Sequence, residues 1–142
     1  MFASHFTSRP QARNAMGDLY QQVGVEIRID GATPHQLVAM LFDGFLEAVA
    51  QARGAMRQQN HEDKGRCIGR AVRIIDEGLR PGLDLRAGGK LAADLMELYA
   101  YVTMRLTVAN LRNDESALAE CQRLVQPLRD AWNSIGAQAA AR

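Results

Sequence analysis

The chain has 142 residues, a formal net charge of +1 and a hydrophobic content of 47%. This length fits one domain that builds its core without disulfides or metals. The charge argues against a dedicated nucleic-acid-binding protein, which would carry a basic excess, and no apolar run of about 18 residues is present that could insert into a membrane. Alanine (22) and leucine (15) outnumber valine plus isoleucine (14), so the composition favours an all-α protein.

The first 33 residues contain two different patterns. Residues 1–19 are polar and aperiodic, so we expect a flexible N-terminal arm. Residues 1–10 lack the apolar run of a signal peptide, and we therefore expect a cytoplasmic protein in which Cys67 and Cys121 are reduced core thiols. Residues 20–33 alternate apolar and polar positions as a strand does, but no other segment offers a strand partner. We interpret this segment as an extended or partly helical lid.

The first helix has a well-marked start. Thr33 is placed to cap it, Pro34 suits the first helical position, and Gln36 completes a capping box. Apolar residues then recur at spacings of four and three as far as Met56, on a face wide enough to be buried against more than one neighbour. We expect this helix to end near Asn60.

The second helix is predicted from about Glu62 to Leu79, with its basic residues largely off the apolar face. They could form a docking patch, but neighbouring acidic residues favour a solvated, neutralised face. The basic residues are Lys64, Arg66, Arg70 and Arg73. Breaks follow at 80–82 and 87–89, and Leu83 and Leu85 between them are placed to cover the end of a bundle.

The third helix, about Lys90 to Arg112, has apolar residues at spacings of four and three, which is typical of a bundle seam. The seam residues are Leu91, Leu95, Leu98, Val102, Leu106 and Ala109. The fourth helix is predicted to end near Ile135, and Pro127 predicts a bend near residues 123–126. Its expected buried residues are Leu118, Cys121, Leu124, Val125, Leu128, Trp132 and Ile135.

Four amphipathic helices with short joints predict an all-α fold, an antiparallel four-helix bundle with an N-terminal lid segment. The bundle domain would cover residues 20–136, including the lid at 20–33. It would follow the arm at 1–19 and precede a frayed tail at 137–142.

Residues suited to catalysis or metal binding do not come together in this pattern. His5, His35 and His61 lie before or at helix starts and form no Glu-x-x-His motif of the kind that a di-metal bundle site needs. The glycine pair at 88–89 lacks the spacing of a phosphate-binding loop. We therefore expect no enzyme activity, no metal site and no cofactor.

Helices one and three hold more large apolar residues than one seam buries. We expect the surplus to line grooves that bind a partner's amphipathic helix, although a wider core or a homodimer interface would also account for it. The candidate partner-binding residues are Phe42, Leu46, Tyr99, Tyr101, Met104, Val108 and Leu111.

An ordered series of motifs resembles the FliS family of flagellar secretion chaperones. Residues 33–44 (TPHQLVAMLFDG) are similar to the family's opening helix, and residues 74–89 are similar to its second joint. Residues 98–114 resemble its third helix and the following turn, and residues 130–132 (DAW) resemble the end of its fourth helix. The resemblance covers about residues 18–135 in unbroken order.

The resemblance implies a bundle that binds the disordered C-terminal segment of flagellin in the cytoplasm and keeps flagellin from polymerising early. It also implies delivery of flagellin to an export-gate component of the flagellar secretion apparatus. Tyr20, with Val23 and Val25, would cover a groove in the free chaperone and dock at the gate. We expect a monomer or weak homodimer, and the alternative is a non-enzymatic adaptor or homodimer that binds another regulatory partner.

Overall fold

The structure, a computed structural model, describes residues 31–140, with side chains for residues 31–137. The predicted arm, most of the lid and three candidate residues lie outside the described part of the chain: residues 1–19, residues 20–30, Tyr20, Val23 and Val25. The described residues form helices and no strand, which confirms the all-α prediction.

Four helices make up the described chain. Helix α1 spans Pro34–Arg57, α2 spans His61–Arg73 and continues as a π-helical turn over Ile74–Leu79, α3 spans Leu85–Arg112, and α4 spans Glu115–Ala140. Helix α1 packs mainly on α2 and α4, and α3 packs mainly on the same two helices. The helices therefore follow one another around a ring, as short joints between antiparallel neighbours require.

Contacts between helices establish their directions. Arg53, late in α1, forms a salt bridge with Glu115 at the start of α4. Lys64, early in α2, donates from Nζ to the carbonyl oxygen of Asn110 near the end of α3. Neighbouring helices thus run in opposite directions, which confirms the predicted antiparallel bundle.

The start of α1 follows the predicted capping box. The Gln36 backbone N–H donates to Thr33 Oγ1 over 3.1 Å, and Gln36 Oε1 accepts from the Thr33 backbone N–H over 2.8 Å. Pro34 occupies the first helical position, where its missing N–H costs no hydrogen bond. Leu41, Phe45 and Val49 near the centre of α1 are fully buried.

The seam predictions are correct at the centre of the bundle and wrong at one end of it. Val102, Leu106 and Ala109 are fully buried, and Cys67 and Cys121 are free, buried thiols as predicted. In contrast, the seam residue Leu91 and the expected core residue Ile135 are 63% and 54% exposed. Leu83 is half-buried against the core, whereas Leu85 is 53% exposed and does not cover the bundle.

The start of α3 also differs from the prediction. Asp84 caps a first turn whose backbone N–H groups at Arg86 and Ala87 donate to the Asp84 carboxylate, so the helix begins at Leu85. Gly89 then adopts φ +53° and ψ −130°, a conformation that side chains disfavour, and it separates this turn from the rest of the helix. The predicted break at 87–89 is therefore a kink within α3.

Helix α4 continues past the predicted end near Ile135 as far as Ala140. Pro127 lies inside it, on an exposed face, and the helix is continuous on both sides. The predicted bend at residues 123–126 and the fraying of residues 137–142 stay predictions.

Candidate functional site

An apolar groove opens at the end of the bundle where α1 and α3 begin and α2 and α4 finish. All four helices contribute to it, and it encloses about 190 Å³. We call it the groove, and its lining residues are Val38, Phe42, Leu79, Leu91, Leu95, Tyr99, Leu128, Ala131, Trp132 and Ile135. Because the lining is hydrocarbon and aromatic, the groove suits the apolar face of a peptide helix or a cluster of apolar side chains.

The groove exists because the apolar faces of α3 and α4 run beyond the helices that cover them. The Trp132 indole donates to the carbonyl oxygen of His35, so Trp132 lies level with the first turn of α1. Ile135 comes almost one turn later on α4, and Leu91 is the second residue after the kink at Gly89. Both side chains are therefore mostly exposed at the rim of the groove.

The wall contributed by α2 depends on its π-helical turn. Within this turn the Arg80 backbone N–H donates to the carbonyl oxygen of Ile75, five residues earlier, over 2.8 Å. The wider turn carries the buried Leu79 to the groove lining. Such turns are rare and often occur at functional sites. The apolar spacing of α2 gave no indication of it.

A compact contact joins the start of α1 to the last part of α4. We call it the clasp, and it consists of His35, Trp132 and Gly136. His35 Nε2 donates to the Trp132 carbonyl oxygen over 2.7 Å, and Trp132 Nε1 donates to the His35 carbonyl oxygen over 2.9 Å. The two rings stack with their centroids 4.6 Å apart and 6° between their planes. The centroid of the Phe42 ring lies 6.5 Å from that of the indole, and the two ring planes are inclined at 55°.

A second apolar surface runs along the outer face of α3. We call it the α3 stripe, and it consists of Tyr101, Met104, Val108 and Leu111. Leu111 is 78% exposed, and Tyr101 and Met104 are exposed as well. Tyr101 donates its hydroxyl proton to Glu120 of α4 over 2.6 Å, and Arg105 Nε donates to the same carboxylate over 2.6 Å. Helix α4 therefore holds the polar end of Tyr101, while the side chain remains exposed.

Burial and hydrogen bonding shift several pKa values near these surfaces. Hydrogen bonds from Tyr101 and then Arg105 lower the pKa of Glu120, and the bond to Glu120 raises the pKa of Tyr101. Burial raises the pKa of Tyr99 in the groove and raises that of Cys121 to about 12, so Cys121 is a neutral thiol. Among the described residues, no group of three His, Cys, Asp or Glu side chains is arranged to hold a metal.

The predicted partner-binding residues that lie in the described part of the chain do not form one surface. Phe42 and Tyr99 line the groove, although each is nearly buried. Leu46 is half-buried against the core and is not part of the groove lining. The remaining four predicted residues on α3 form the α3 stripe.

Sequence reasoning missed most of the groove lining because it treated each apolar stripe as core along its full length. Leu91, Trp132 and Ile135 were all assigned to the core in this way. Their positions near helix ends could have indicated exposure, because a neighbouring helix that ends earlier leaves such a seam residue uncovered. A half-buried tryptophan beside such an end is a further sign of a binding surface.

The opposite end of the bundle is cross-linked by polar groups, and we call it the linked end. Lys64 is buried, and its Nζ donates to the Asn110 carbonyl oxygen and to Asn113 Oδ1. The positive charge of Lys64 also interacts favourably with the negative, C-terminal end of the α3 dipole. Asn113 itself ends α3 in a left-handed conformation, with φ +51°.

A carboxylate at the linked end ties α1 to α4. Glu115 accepts hydrogen bonds from Arg57 over 2.6 Å and from Arg53 over 3.0 Å. These bonds, first from Arg57 and then from Arg53, lower the pKa of Glu115 to about 2.

The basic face of α2 is neutralised, as the simpler interpretation of the sequence predicted. Arg66 pairs with Asp63, and Arg73 pairs with Glu77. Arg70 donates to a side-chain amide oxygen of α1, and Lys64 is buried. These residues do not form a free basic patch.

Comparison with known proteins places this bundle in a family. The sequence profile of the family described as "Flagellar protein FliS" matches residues 16–139. The chain belongs to the FliS family. Its apolar groove, clasp and linked end are thus features of a FliS-family bundle.

Several curated relatives match over most of their length. The "Flagellar secretion chaperone FliS" of Salmonella typhimurium is 44% identical over 121 residues, which is 85% of this chain and 90% of the relative. The "Flagellar secretion chaperone FliSB" of Pseudomonas aeruginosa is 45% identical over 116 residues, 82% of this chain and 91% of the relative. The "Flagellar secretion chaperone FliS" of Escherichia coli is 43% identical over 113 residues, 80% of this chain and 83% of the relative.

Family membership confirms two of the sequence predictions. The names of the relatives describe chaperones of flagellar secretion and not enzymes, in agreement with a non-enzymatic role in flagellar export. No helix among residues 31–140 is long and apolar enough to cross a membrane.

Proposed function

We propose that this protein is a cytoplasmic export chaperone that binds the disordered C-terminal region of flagellin, prevents its premature polymerisation, and delivers it to the flagellar type III export gate. The observation that carries the proposal is the groove at the end of a FliS-family bundle. We refer to the bound flagellin segment as the cargo.

The chemistry of the groove supports a cargo that folds as it binds. A disordered segment with apolar residues three and four positions apart forms an amphipathic helix when an apolar surface covers one of its faces. The rim residues Leu91 and Ile135 are already exposed in the described chain, so contact with the cargo would remove their apolar surface from water. The ordering of the cargo opposes this gain and keeps the net affinity modest, which suits a chaperone that must release what it binds.

The α3 stripe supports a second contact with the same cargo. Its residues lie at helical spacings of three, four and three on the solvent side of α3, and Leu111 is its most exposed member. A segment that leaves the groove along α3 would reach this surface without crossing the core. In this proposal Phe42 and Tyr99 contact the cargo in the groove, and the residues of the α3 stripe make the second contact. Leu46 packs against the core and supports both surfaces without touching the cargo.

The N-terminal segment supplies the remaining part of the proposal. The residues concerned, Tyr20, Val23 and Val25, precede the α1 cap at Thr33 by a short stretch of chain, and that cap lies at the groove end. We propose that they cover the groove in the free protein and dock at the export gate after cargo binds. Deletion of residues 1–25 should then strengthen cargo binding in solution and reduce flagellin export in cells. If neither quantity changes, this part of the proposal is wrong.

The experiment that tests the proposed function is titration of the purified full chain with a peptide that contains the C-terminal region of flagellin. Isothermal calorimetry should give a 1:1 complex, and circular dichroism should show a gain of helix beyond the sum of the two free components. The matched control is a peptide of the same length in which the apolar residues are replaced by serine. The absence of heat and helix gain at tens of micromolar peptide would contradict the proposal. Self-association through the α3 stripe, measured by sedimentation, would then favour the homodimer alternative.

A further inference from the structure

We infer that His35 and Gly136 are positioning residues that hold the indole of Trp132 as a fixed wall of the groove. The inference rests on the proposed function in one respect, because it concerns the same groove. Its geometric basis is the clasp, in which one hydrogen bond and a ring stack hold the indole, while a second hydrogen bond and the close approach of Gly136 place the imidazole that stacks on it.

The hydrogen bonds of the clasp are reciprocal. Each residue donates from its ring to the backbone carbonyl oxygen of the other, over 2.7 Å from His35 and 2.9 Å from Trp132. A carbonyl oxygen only accepts, so Nε2 of His35 carries the proton of this hydrogen bond. The bond from the indole determines the direction in which its N–H points, and the bond from the imidazole holds the His35 ring against the backbone of α4.

The ring stack removes the remaining freedom of the indole. With 6° between the ring planes and 4.6 Å between their centroids, rotation of the indole about its side-chain bonds would break the stack as well as the hydrogen bond. Phe42 is a second aromatic neighbour of the indole, but its ring is tilted and more distant. Of these two rings, the imidazole therefore contributes more to the orientation of the wall.

Gly136 makes room for the imidazole. A Cβ at this position would lie 2.2 Å from His35 Cε1 and 2.8 Å from Nδ1, so any side chain here would displace the ring. Gly69 is a helical glycine on α2 with no atom near the place where a Cβ would stand. Glycine is otherwise less favourable than alanine inside a helix. The contact with His35 explains why a glycine at position 136 is useful despite that cost.

The consequence for the groove concerns the entropy of binding. A preoriented wall does not have to be ordered when the cargo arrives, whereas a freely rotating indole does. Ordering one such side chain weakens binding by about twofold to tenfold. His35 and Gly136 would thus increase cargo affinity without contact with the cargo.

Trp132 is the only tryptophan of the chain, so its fluorescence reports the clasp directly. The test compares wild type with His35→Ala and Gly136→Ala by acrylamide quenching of tryptophan fluorescence. Thermal unfolding followed by circular dichroism confirms that each variant is folded at the temperature of the measurement. The matched controls are His61→Ala and Gly69→Ala, since His61 is exposed at the start of α2 and Gly69 is open to solvent.

We expect the quenching constant to rise in both clasp variants and to remain unchanged in both controls. Binding of the flagellin peptide should weaken by about threefold to tenfold in the clasp variants only. A His35→Phe variant retains a flat ring but loses one hydrogen bond, so it should fall between wild type and His35→Ala.

Unchanged quenching in Gly136→Ala would overturn the inference even if His35→Ala does not fold, because the added Cβ must displace the imidazole. Increased quenching together with unchanged peptide affinity would also overturn it, since the indole would then be mobile without consequence for the groove. Failure of wild type to bind the peptide contradicts the proposed function and not the clasp. In that case the apolar dye 1-anilinonaphthalene-8-sulfonate replaces the peptide as the groove probe, with the same expected order of affinities.

Discussion

The linked end and the groove end of the bundle join the same four helices by different chemistry. At the linked end, Lys64 donates a hydrogen bond to a carbonyl oxygen near the end of α3, and Glu115 of α4 accepts hydrogen bonds from two arginines of α1. At the groove end, apolar side chains such as Leu91 and Ile135 stay exposed, and the clasp joins α1 to α4. A small bundle can thus retain its fold through polar links at one end while part of its apolar surface stays exposed at the other.

The two ends should therefore respond differently to substitution. Changes at the linked end should alter the free energy of unfolding and leave cargo affinity unchanged. Changes at the groove rim should alter cargo affinity and leave the free energy of unfolding unchanged.

The largest effect is expected for Lys64→Met. The variant loses hydrogen bonds from a buried charged group to the end of α3, so the free energy of unfolding should fall by about 1.5–3 kcal/mol. Urea denaturation measures this change, and peptide titration should show unchanged affinity. Arg66→Met is the control, because exposed ion pairs such as Arg66 with Asp63 contribute about 0–1 kcal/mol. Equal destabilisation by both variants would contradict a special role for Lys64.

The next largest effect is expected for Leu91→Asp at the groove rim. A charge here opposes burial of the cargo's apolar face, and affinity for the flagellin peptide should fall about tenfold or more. The free energy of unfolding should hardly change, because the native leucine is 63% exposed. Calorimetric titration measures the affinity.

Leu85→Asp is the matched control for this variant. Leu85 lies on the same helix, is 53% exposed, and does not line the groove. The two variants add the same charge, so a comparable loss of affinity in both would show that net charge, and not the groove, determines binding.

The smallest effect concerns pH and the linked end. Hydrogen bonds from Arg57 and Arg53 lower the pKa of Glu115 from its ordinary 4.5 to about 2 in the folded chain. Because the folded value is the lower one, the stabilisation from Glu115 is present above about pH 4.5 and is lost as pH falls towards 2. Wild type should therefore exceed Glu115→Gln in urea midpoint at pH 6, and the difference should shrink by pH 3. An exposed carboxylate variant, Glu97→Gln, provides the control, and a pH-independent difference for Glu115→Gln would contradict the assignment.

Much of the fold was predictable because local signals agreed with the tertiary structure. The capping box at Thr33 and Gln36 and the seam at Val102 and Leu106 each follow from spacing alone. The kinked start of α3 was only partly predictable, since Asp84 caps a short turn before Gly89 changes the helix direction.

The site was harder to predict because it depends on where neighbouring helices stop. The spacing of Leu91 and Ile135 is that of core residues, and only the register of α1 and α2 against them leaves them exposed. The π-helical turn that carries Leu79 to the groove has no signature in the apolar pattern. The resemblance to the FliS family was more informative about function than any single motif, because it depends on the order of many motifs.

The most direct test of the central claim is to map the bound peptide by amide NMR of the labelled full chain. Addition of the unlabelled flagellin peptide should perturb the amides around Leu95, Tyr99 and Trp132 most strongly, with smaller changes along the α3 stripe. The amides around Lys64 should remain unperturbed. Perturbations that cluster at the linked end and spare the groove would contradict binding of the cargo in the groove.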